Sequence, residues 1–169
     1  MPLSIHQVSI PVFQRGLETL AALLRKGEAH AQAAGTDPAA LIGARLAPDM
    51  LPLSGQVQRA SDTAKLAAAR LTGTEAPSFA DEEGTFPELQ DRISRTAAYL
   101  GSFDAGRFED SETREITIRP GNAPRSFTGI DYVLTFALPN FFFHVTTAYD
   151  ILRHNGVAIG KRDYLWPNG

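Results

Sequence analysis

One segment near the C-terminus, FALPNFFFHVTTAYDILRHNGVAIGK at residues 136–161, constrains the fold of this chain more than any other. It belongs to a predicted amphipathic helix that begins at a Thr128 cap and ends at Asn155-Gly156. The predicted apolar stripe of this helix consists of Leu134, Leu138, Phe141, Val145, Ala148 and Leu152. Pro139 lies within the helix and cannot donate a backbone hydrogen bond, so a kink is predicted at residues 138–140. A long helix with one apolar stripe needs other helices to pack against it.

Three further helices are predicted upstream. The first runs from about Ser4 to His30, and its apolar residues at helical spacing are Phe13, Leu17, Leu20 and Leu24. The second starts at Asp37-Pro38, passes an irregular joint that contains two prolines, and continues from near Pro52 to Gly73. The third follows a capping box at residues 85–88, TFPE.

A change of period after the third helix predicts two short strands. Ile116 and Ile118 alternate with polar residues, and a Pro-Gly-Asn turn at 120–122 precedes a second short run around Phe127. These features predict a small β-hairpin inserted before the last helix. The predicted fold is an all-α, antiparallel four-helix bundle with this hairpin, in a single domain over residues 1–169.

Composition excludes several classes of site and partner. The 169 residues include no cysteine, so disulfides, thiolate nucleophiles and cysteine-bound metals are excluded, and a metal would need His, Asp or Glu ligands. The net charge is -3 and the Lys and Arg residues are scattered, so neither nucleic acid nor a membrane is predicted as a partner. The first residues lack the basic and apolar regions of a signal peptide, and no apolar run approaches ~18 residues. A cytoplasmic protein is expected.

Helical phase indicates where a site would lie. At ~100° per residue, His144 lies roughly 60° from Phe141 at the centre of the last stripe, so it is expected to face inward or graze the core. His6 lies within about 20° of Phe13 on the first helix. Gln56 and Tyr149 flank the stripes of the second and last helices, and both offer polar atoms to a pocket. In an enzyme, His144 would be the general base or a metal ligand, with Gln56 or Tyr149 fixing its tautomer.

Structural explanations compete with these roles. A buried histidine in a bundle is usually hydrogen-bonded to a neighbour and takes no part in chemistry. Asp62 is either a pocket carboxylate or one end of an ion pair with Lys65, and its helical phase favours the ion pair. The kink at Pro139 either frees a carbonyl beside His144 or only lets the helix wrap its neighbours.

Several short motifs resemble one known family across essentially the whole chain. They are LAPDM at 46–50, QVQ at 56–58, Asp62 with Lys65, PNFFFHVTTAYDILRHNG at 139–156, and Gly160-Lys161. They resemble an uncharacterised bacterial and fungal domain-of-unknown-function family within the DinB/YfiT-like four-helix superfamily. The resemblance implies an up-down-down-up bundle and frequent dimers. It also implies, for many members, a three-histidine metal centre used for thiol transfer or hydrolysis.

This chain departs from the metal-binding pattern of that superfamily. The relatives take one ligand from the second helix and two from an H-x3-H pair on the last helix. Here His144 supplies one of that pair, Ala148 occupies the position four residues later, and the second helix has no histidine. Gln56 or Asp62 would have to substitute, so the resemblance predicts the fold and leaves the metal centre absent or remodelled.

The sequence therefore predicts a homodimeric bundle with an interior pocket near His144, His6, Gln56 and Tyr149 that binds an unknown small molecule. No reaction and no cofactor are assigned. One alternative is a metal-dependent thiol transferase or hydrolase, with Zn²⁺ or Ni²⁺ at a remodelled site of His144, Gln56 and Asp62. The other is a non-enzymatic interaction protein with contact residues Phe142, Phe143 and Trp166. Exposed aromatics would favour the interaction protein, and an open pocket that reaches His144 would favour ligand binding.

Overall fold

The computed structural model describes residues 3–121 and 123–167. Asn122 of the predicted turn and residues 1–2 and 168–169 of the predicted domain lie outside the described residues. The first helix, α1 (Ile5–Ala34), begins at a capping box in which Ser4 and Gln7 exchange side-chain and backbone hydrogen bonds. It ends at Gly35, whose φ of 62° suits a glycine C-cap. The helix is confirmed and extends four residues beyond the predicted end at His30.

The predicted second helix is in two parts, as its prolines indicate. A short helix, α2 (Pro38–Ile42), is capped by Asp37, and the main helix, α3 (Leu53–Thr72), follows the proline-containing joint. The next helix, α4 (Phe86–Gly101), starts at the predicted capping box, where Thr85 Oγ1 accepts from the Glu88 N–H. These helix starts are confirmed.

The hairpin precedes the last helix, as predicted. A 3₁₀ turn at Ala105–Phe108 leads into β1 (Glu115–Ile118), which pairs antiparallel with β2 (Arg125–Thr128). Glu115 lies opposite Thr128, and Ile118 lies opposite Arg125. The alternate residues Ile116 and Ile118 are buried, so one face of the hairpin covers the core.

The last helix is continuous but not uniform. A single turn, α5 (Gly129–Asp131), leads into a π-helical segment at Tyr132–Ala137 and then into α6 (Leu138–His154). The π-helical segment ends at Ala137, two residues before Pro139, which lies in the first turn of α6. The kink predicted at residues 138–140 stays a prediction. The prediction that Leu134 belongs to the buried stripe is wrong, because it is 51% exposed. Wider π turns shift the helical phase and bury Tyr132 and Val133 instead.

Four helices enclose the core. Helix α3 packs against α4 and α6, and α1 packs against the same two helices. Phe13 of α1 meets Phe141 of α6 edge to face, with ring centroids 5.1 Å apart. A Cβ at Gly16 would lie 2.2 Å from the Phe141 ring, so glycine permits this approach. The predicted four-helix bundle is confirmed. A short helix, α7 (Lys161–Leu165), closes over α1. Within the described residues, we find no helix with both the length and the apolar character to cross a membrane.

Candidate functional site

The candidate site is built on one hydrogen bond between α3 and α6. His144 Nδ1 lies 2.8 Å from Gln56 Oε1, as the helical phases of the two residues suggested. Gln56 is buried, and its Nε2 donates to the Leu51 carbonyl at 3.0 Å, which fixes the orientation of the amide. An amide oxygen only accepts, so the proton of the imidazole lies on Nδ1 and Nε2 carries a lone pair.

The surroundings keep this imidazole neutral. Burial, and to a smaller extent the positive charge of Arg59, lower the pKa of His144 to about 4. Across residues 3–121 and 123–167, no hydrogen-bond partner contacts Nε2. His144 therefore offers an uncharged acceptor that a ligand can use.

Two more polar pairs extend the contact between α3 and the last helix. Asn140 Nδ2 donates to Thr63 Oγ1 at 2.8 Å, and Arg70 Nη1 donates to the Tyr132 hydroxyl at 2.8 Å. Their α3 members follow Gln56 at intervals of seven residues, so all three lie on one face of α3. We call Gln56–His144, Thr63–Asn140 and Arg70–Tyr132 the polar ladder.

An open groove follows the polar ladder away from His144. It has a volume of about 240 Å³ and lies between α3, the π-helical segment and the end of β1. Its polar lining is Arg59, Asp62, Thr63, Arg70, Arg119, Tyr132 and Asn140, and its apolar lining is Leu66, Ile118, Pro120 and Phe136. Neither His144 nor Gln56 lines the groove, but Asn140, at its near end, precedes His144 by one helical turn.

Asp62 forms ion pairs at the edge of this groove. Its carboxylate lies 2.9 Å from Lys65 Nζ, 2.8 Å from Arg92 Nη2 and 3.3 Å from Arg59 Nη1. The predicted ion pair with Lys65 is confirmed, and it belongs to a larger network. Three cations contact this one carboxylate, and two of them, Arg59 and Arg92, also pair with Asp81.

Comparison with known proteins gives the family. The model of a family described as "Domain of unknown function (DUF1993)" matches residues 5–165. The chain belongs to this family. A crystal structure of a DinB family member from Shewanella denitrificans is similar at 40% sequence identity and a TM-score of 0.90. The similarity covers 95% of this chain and 91% of that one. No curated protein matches this chain.

The side chains of this DUF1993 domain do not fit the metal centre that the DinB resemblance implies. Gln56 Oε1 already accepts from His144 Nδ1, and Asp62 is held by three cations. Arg59 places a positive charge beside the imidazole, which opposes a divalent cation. No cluster of three or more His, Asp or Glu residues suited to a metal occurs in the part of the chain that the structure describes.

The structure does not bring His6 and Tyr149 to His144. The His6 ring packs edge to face on Phe108 at 5.1 Å, beside the 3₁₀ turn. Tyr149 packs on Tyr164 at 6.0 Å and borders a separate recess of about 190 Å³. Five residues correspond to roughly 140° of helical rotation, so Tyr149 projects from a different side of α6 than His144. Of the four predicted pocket residues, only Gln56 and His144 touch.

Sequence reasoning missed two parts of the site. The first part is the pair of contacts beyond Gln56–His144. Asn140 lies four residues before His144, whereas the search for an H-x3-H pair considered only the position four residues after it. Thr63 and Arg70 follow Gln56 at seven-residue intervals on α3. The heptad interval on α3 was a usable signal. The other part is Arg92, which is 1% exposed and contacts the carboxylates of Asp62, Asp81 and Glu83.

Proposed function

We propose that this DUF1993 domain binds a small molecule beside His144, without a bound metal. The observation that carries the proposal is the hydrogen bond from His144 Nδ1 to Gln56. It leaves a neutral Nε2 one helical turn from Asn140, which lines an open groove. A ligand with a hydroxyl, amide or acidic proton would donate to that nitrogen. Gln56 and the Leu51 carbonyl hold the ring in place before the ligand arrives.

The lowered pKa of His144 favours a role in hydrogen bonding over a role in proton abstraction. A general base works best when its pKa is near the operating pH, and a conjugate acid with a pKa of about 4 gives a weak base. An anionic ligand beside His144 would raise that pKa and favour the imidazolium form. The proposed role is thus recognition of the ligand, and no reaction is assigned.

Metal analysis separates this proposal from the metal-dependent transferase or hydrolase. Tag-free protein is dialysed against zinc and nickel and measured by plasma mass spectrometry, alongside His144→Ala and the control His154→Ala. His154 is exposed at the end of α6, so its removal leaves the pocket intact. We expect far less than one metal per chain in all three proteins. Nearly one metal per chain that His144→Ala loses and His154→Ala keeps would contradict the proposal.

A thermal-shift screen with acidic, basic and neutral fragments tests the binding itself. Fragments that stabilise the natural protein are tested again on His144→Phe and Gln56→Leu. The expected result is a set of fragments whose stabilisation is lost in both variants. If every stabilising fragment acts equally on His144→Phe, the pocket is elsewhere.

A second candidate function is a contact between protein chains. Phe143 is 56% exposed and Trp166 is 58% exposed, whereas Phe142 is half-buried. Such exposed aromatics favour an interface, and the homodimer stays a prediction. Sedimentation of the natural protein and of Phe143→Ser tests it, because a dimer built on this surface would dissociate in the variant.

The cytoplasmic location also stays a prediction.

A further inference from the structure

We propose that the groove along the polar ladder binds the anionic group, a carboxylate or a phosphate, of a small organic molecule. The inference rests on the proposed function for its setting, because the groove starts one turn from His144. It adds the chemical class of the ligand. Three arguments carry it: the charge of the groove, its hydrogen-bond donors and its apolar wall.

The charge of the groove is positive. Arg59, Arg70 and Arg119 line it, and Asp62 is its one acidic lining residue. Arg59 is already paired with carboxylates, because it contacts Asp62 at 3.3 Å and also binds Asp81. Lys65 and Arg92 bind the Asp62 carboxylate from outside the groove, at 2.9 and 2.8 Å. The positive charge left for a ligand is therefore that of Arg70 and Arg119. Arg119 is exposed at the end of β1 and forms no ion pair with any described residue.

The hydrogen-bonding groups of the groove include several donors. The Tyr132 hydroxyl accepts from Arg70 at 2.8 Å, which holds this guanidinium at the groove. Tyr132 is itself fully buried, and burial raises the pKa of its phenol, so it supports Arg70 as a neutral acceptor and does not contact the ligand. Asn140 Nδ2 uses one N–H on Thr63 and has a second N–H for a ligand. Guanidinium groups only donate, and their planar arrangement matches the two oxygens of a carboxylate or phosphate.

An apolar wall completes the groove. Leu66, Ile118 and Phe136 lie on its sides, so a hydrocarbon or aromatic part of the ligand would lose contact with water there. The volume of about 240 Å³ is below the usual ~300–1,000 Å³ of sites for drug-sized ligands. The ligand that fits is therefore a small organic acid or phosphate ester.

Titration with benzoate, phenyl phosphate and inorganic phosphate tests the inference. Binding is followed by amide NMR shifts at constant ionic strength set with chloride, in the natural protein and in Arg119→Ala, Arg70→Gln and the control Arg25→Ala. Arg25 is exposed on α1, far along the chain from the groove-lining segments, so it matches the loss of charge without touching the groove.

We expect saturable binding of at least one organic anion, with shifts at Thr63, Tyr132 and Asn140. Loss of Arg119 should weaken it about tenfold, the effect of one lost charged contact of ~1.4 kcal/mol. Arg25→Ala should change it less than twofold. Tighter binding of phenyl phosphate assigns a phosphate ester, and tighter binding of benzoate assigns a carboxylic acid. No saturable binding of any probe, or equal weakening by Arg119→Ala and Arg25→Ala, would overturn the inference.

The same titration distinguishes failure of this inference from failure of the proposed function. If anions bind through Arg119 but neither the His144 ring signals nor the affinity of a His144→Phe variant changes, the groove binds anions and the proposed His144 pocket fails. If no anion binds while an uncharged fragment still needs His144, the anion inference fails and the proposed function stands.

Discussion

Arg92 offers the sharpest test of how the loop before α4 is held against the bundle. Its guanidinium is 1% exposed, and Nη1 donates to the Ala80 carbonyl at 3.1 Å, to Asp81 at 3.0 Å and to Glu83 at 2.9 Å. Nη2 contacts Asp62 at 2.8 Å. Substitution by methionine preserves most of the aliphatic volume and removes all four contacts.

The expected loss in the free energy of unfolding depends on the contacts that each carboxylate retains after the substitution. Removing one member of a buried ion pair costs about 3–5 kcal/mol, but Asp62 retains Lys65 and Asp81 is 40% exposed. Glu83 loses most, because its side chain is only 13% exposed and only the hydrogen bond from Gln58 at 2.9 Å remains. We therefore expect Arg92→Met to lower the free energy of unfolding by about 3 kcal/mol.

Urea unfolding followed by circular dichroism measures this loss, with Arg95→Met as the matched control. Arg95 lies on the same helix, its side chain is 55% exposed, and its ion pair with Asp91 is long at 3.6 Å, so its loss should cost less than about 1 kcal/mol. A double-mutant cycle with Glu83→Gln should give a coupling above about 1 kcal/mol. Equal costs for Arg92→Met and Arg95→Met would refute the reasoning.

Three other predictions concern the last helix, a helix cap and acid stability. A Cβ at Gly129 would lie 1.8 Å from the Ser111 carbonyl oxygen, so Gly129→Ala should force the start of the last helix to shift and cost about 2–3 kcal/mol in urea unfolding. Thr85→Ala removes the cap that accepts from Glu88 N–H and should cost about 1 kcal/mol, also measured in urea, whereas Thr85→Ser should cost little. The pKa of His144 falls from 6.5 to about 4 on folding, so between these pH values the unfolded chain binds a proton that the folded chain does not. Stability should therefore fall as the pH decreases from 6.5 to 4, and subtracting the profile of His144→Gln should isolate this slope; a flat difference would contradict the assigned pKa.

The helices could be predicted because their signals are local. The capping box at Thr85, the Asp37-Pro38 start and the prolines before α3 lie within a few residues of the boundaries that they set. The buried face of the last helix could be predicted only for its later turns, from Phe141 to Leu152. Its register changes in the π-helical segment before Pro139, and the ideal period of 3.6 residues therefore misplaced Leu134.

The candidate site could be predicted in part. Helical phase brought Gln56 and His144 to one interface, because both lie in regular helix. The same phase puts Tyr149 about 140° from His144, and that side of α6 packs on Tyr164, so the expectation of one shared pocket was the error. Phase did not find Arg92, because two of its three carboxylate partners come from a loop. Contacts with a loop depend on the path of the chain, which periodicity does not describe.

The protonation state of His144 is the central claim, and nitrogen NMR of the imidazole tests it most directly. Spectra of ¹⁵N-labelled protein are recorded from pH 8 to the acid limit of the fold, with His144→Gln used to assign the ring signals. The account predicts a neutral ring with its proton on Nδ1 above pH 5 and a midpoint of about 4. A midpoint near 6.5, or a proton on Nε2, would contradict it.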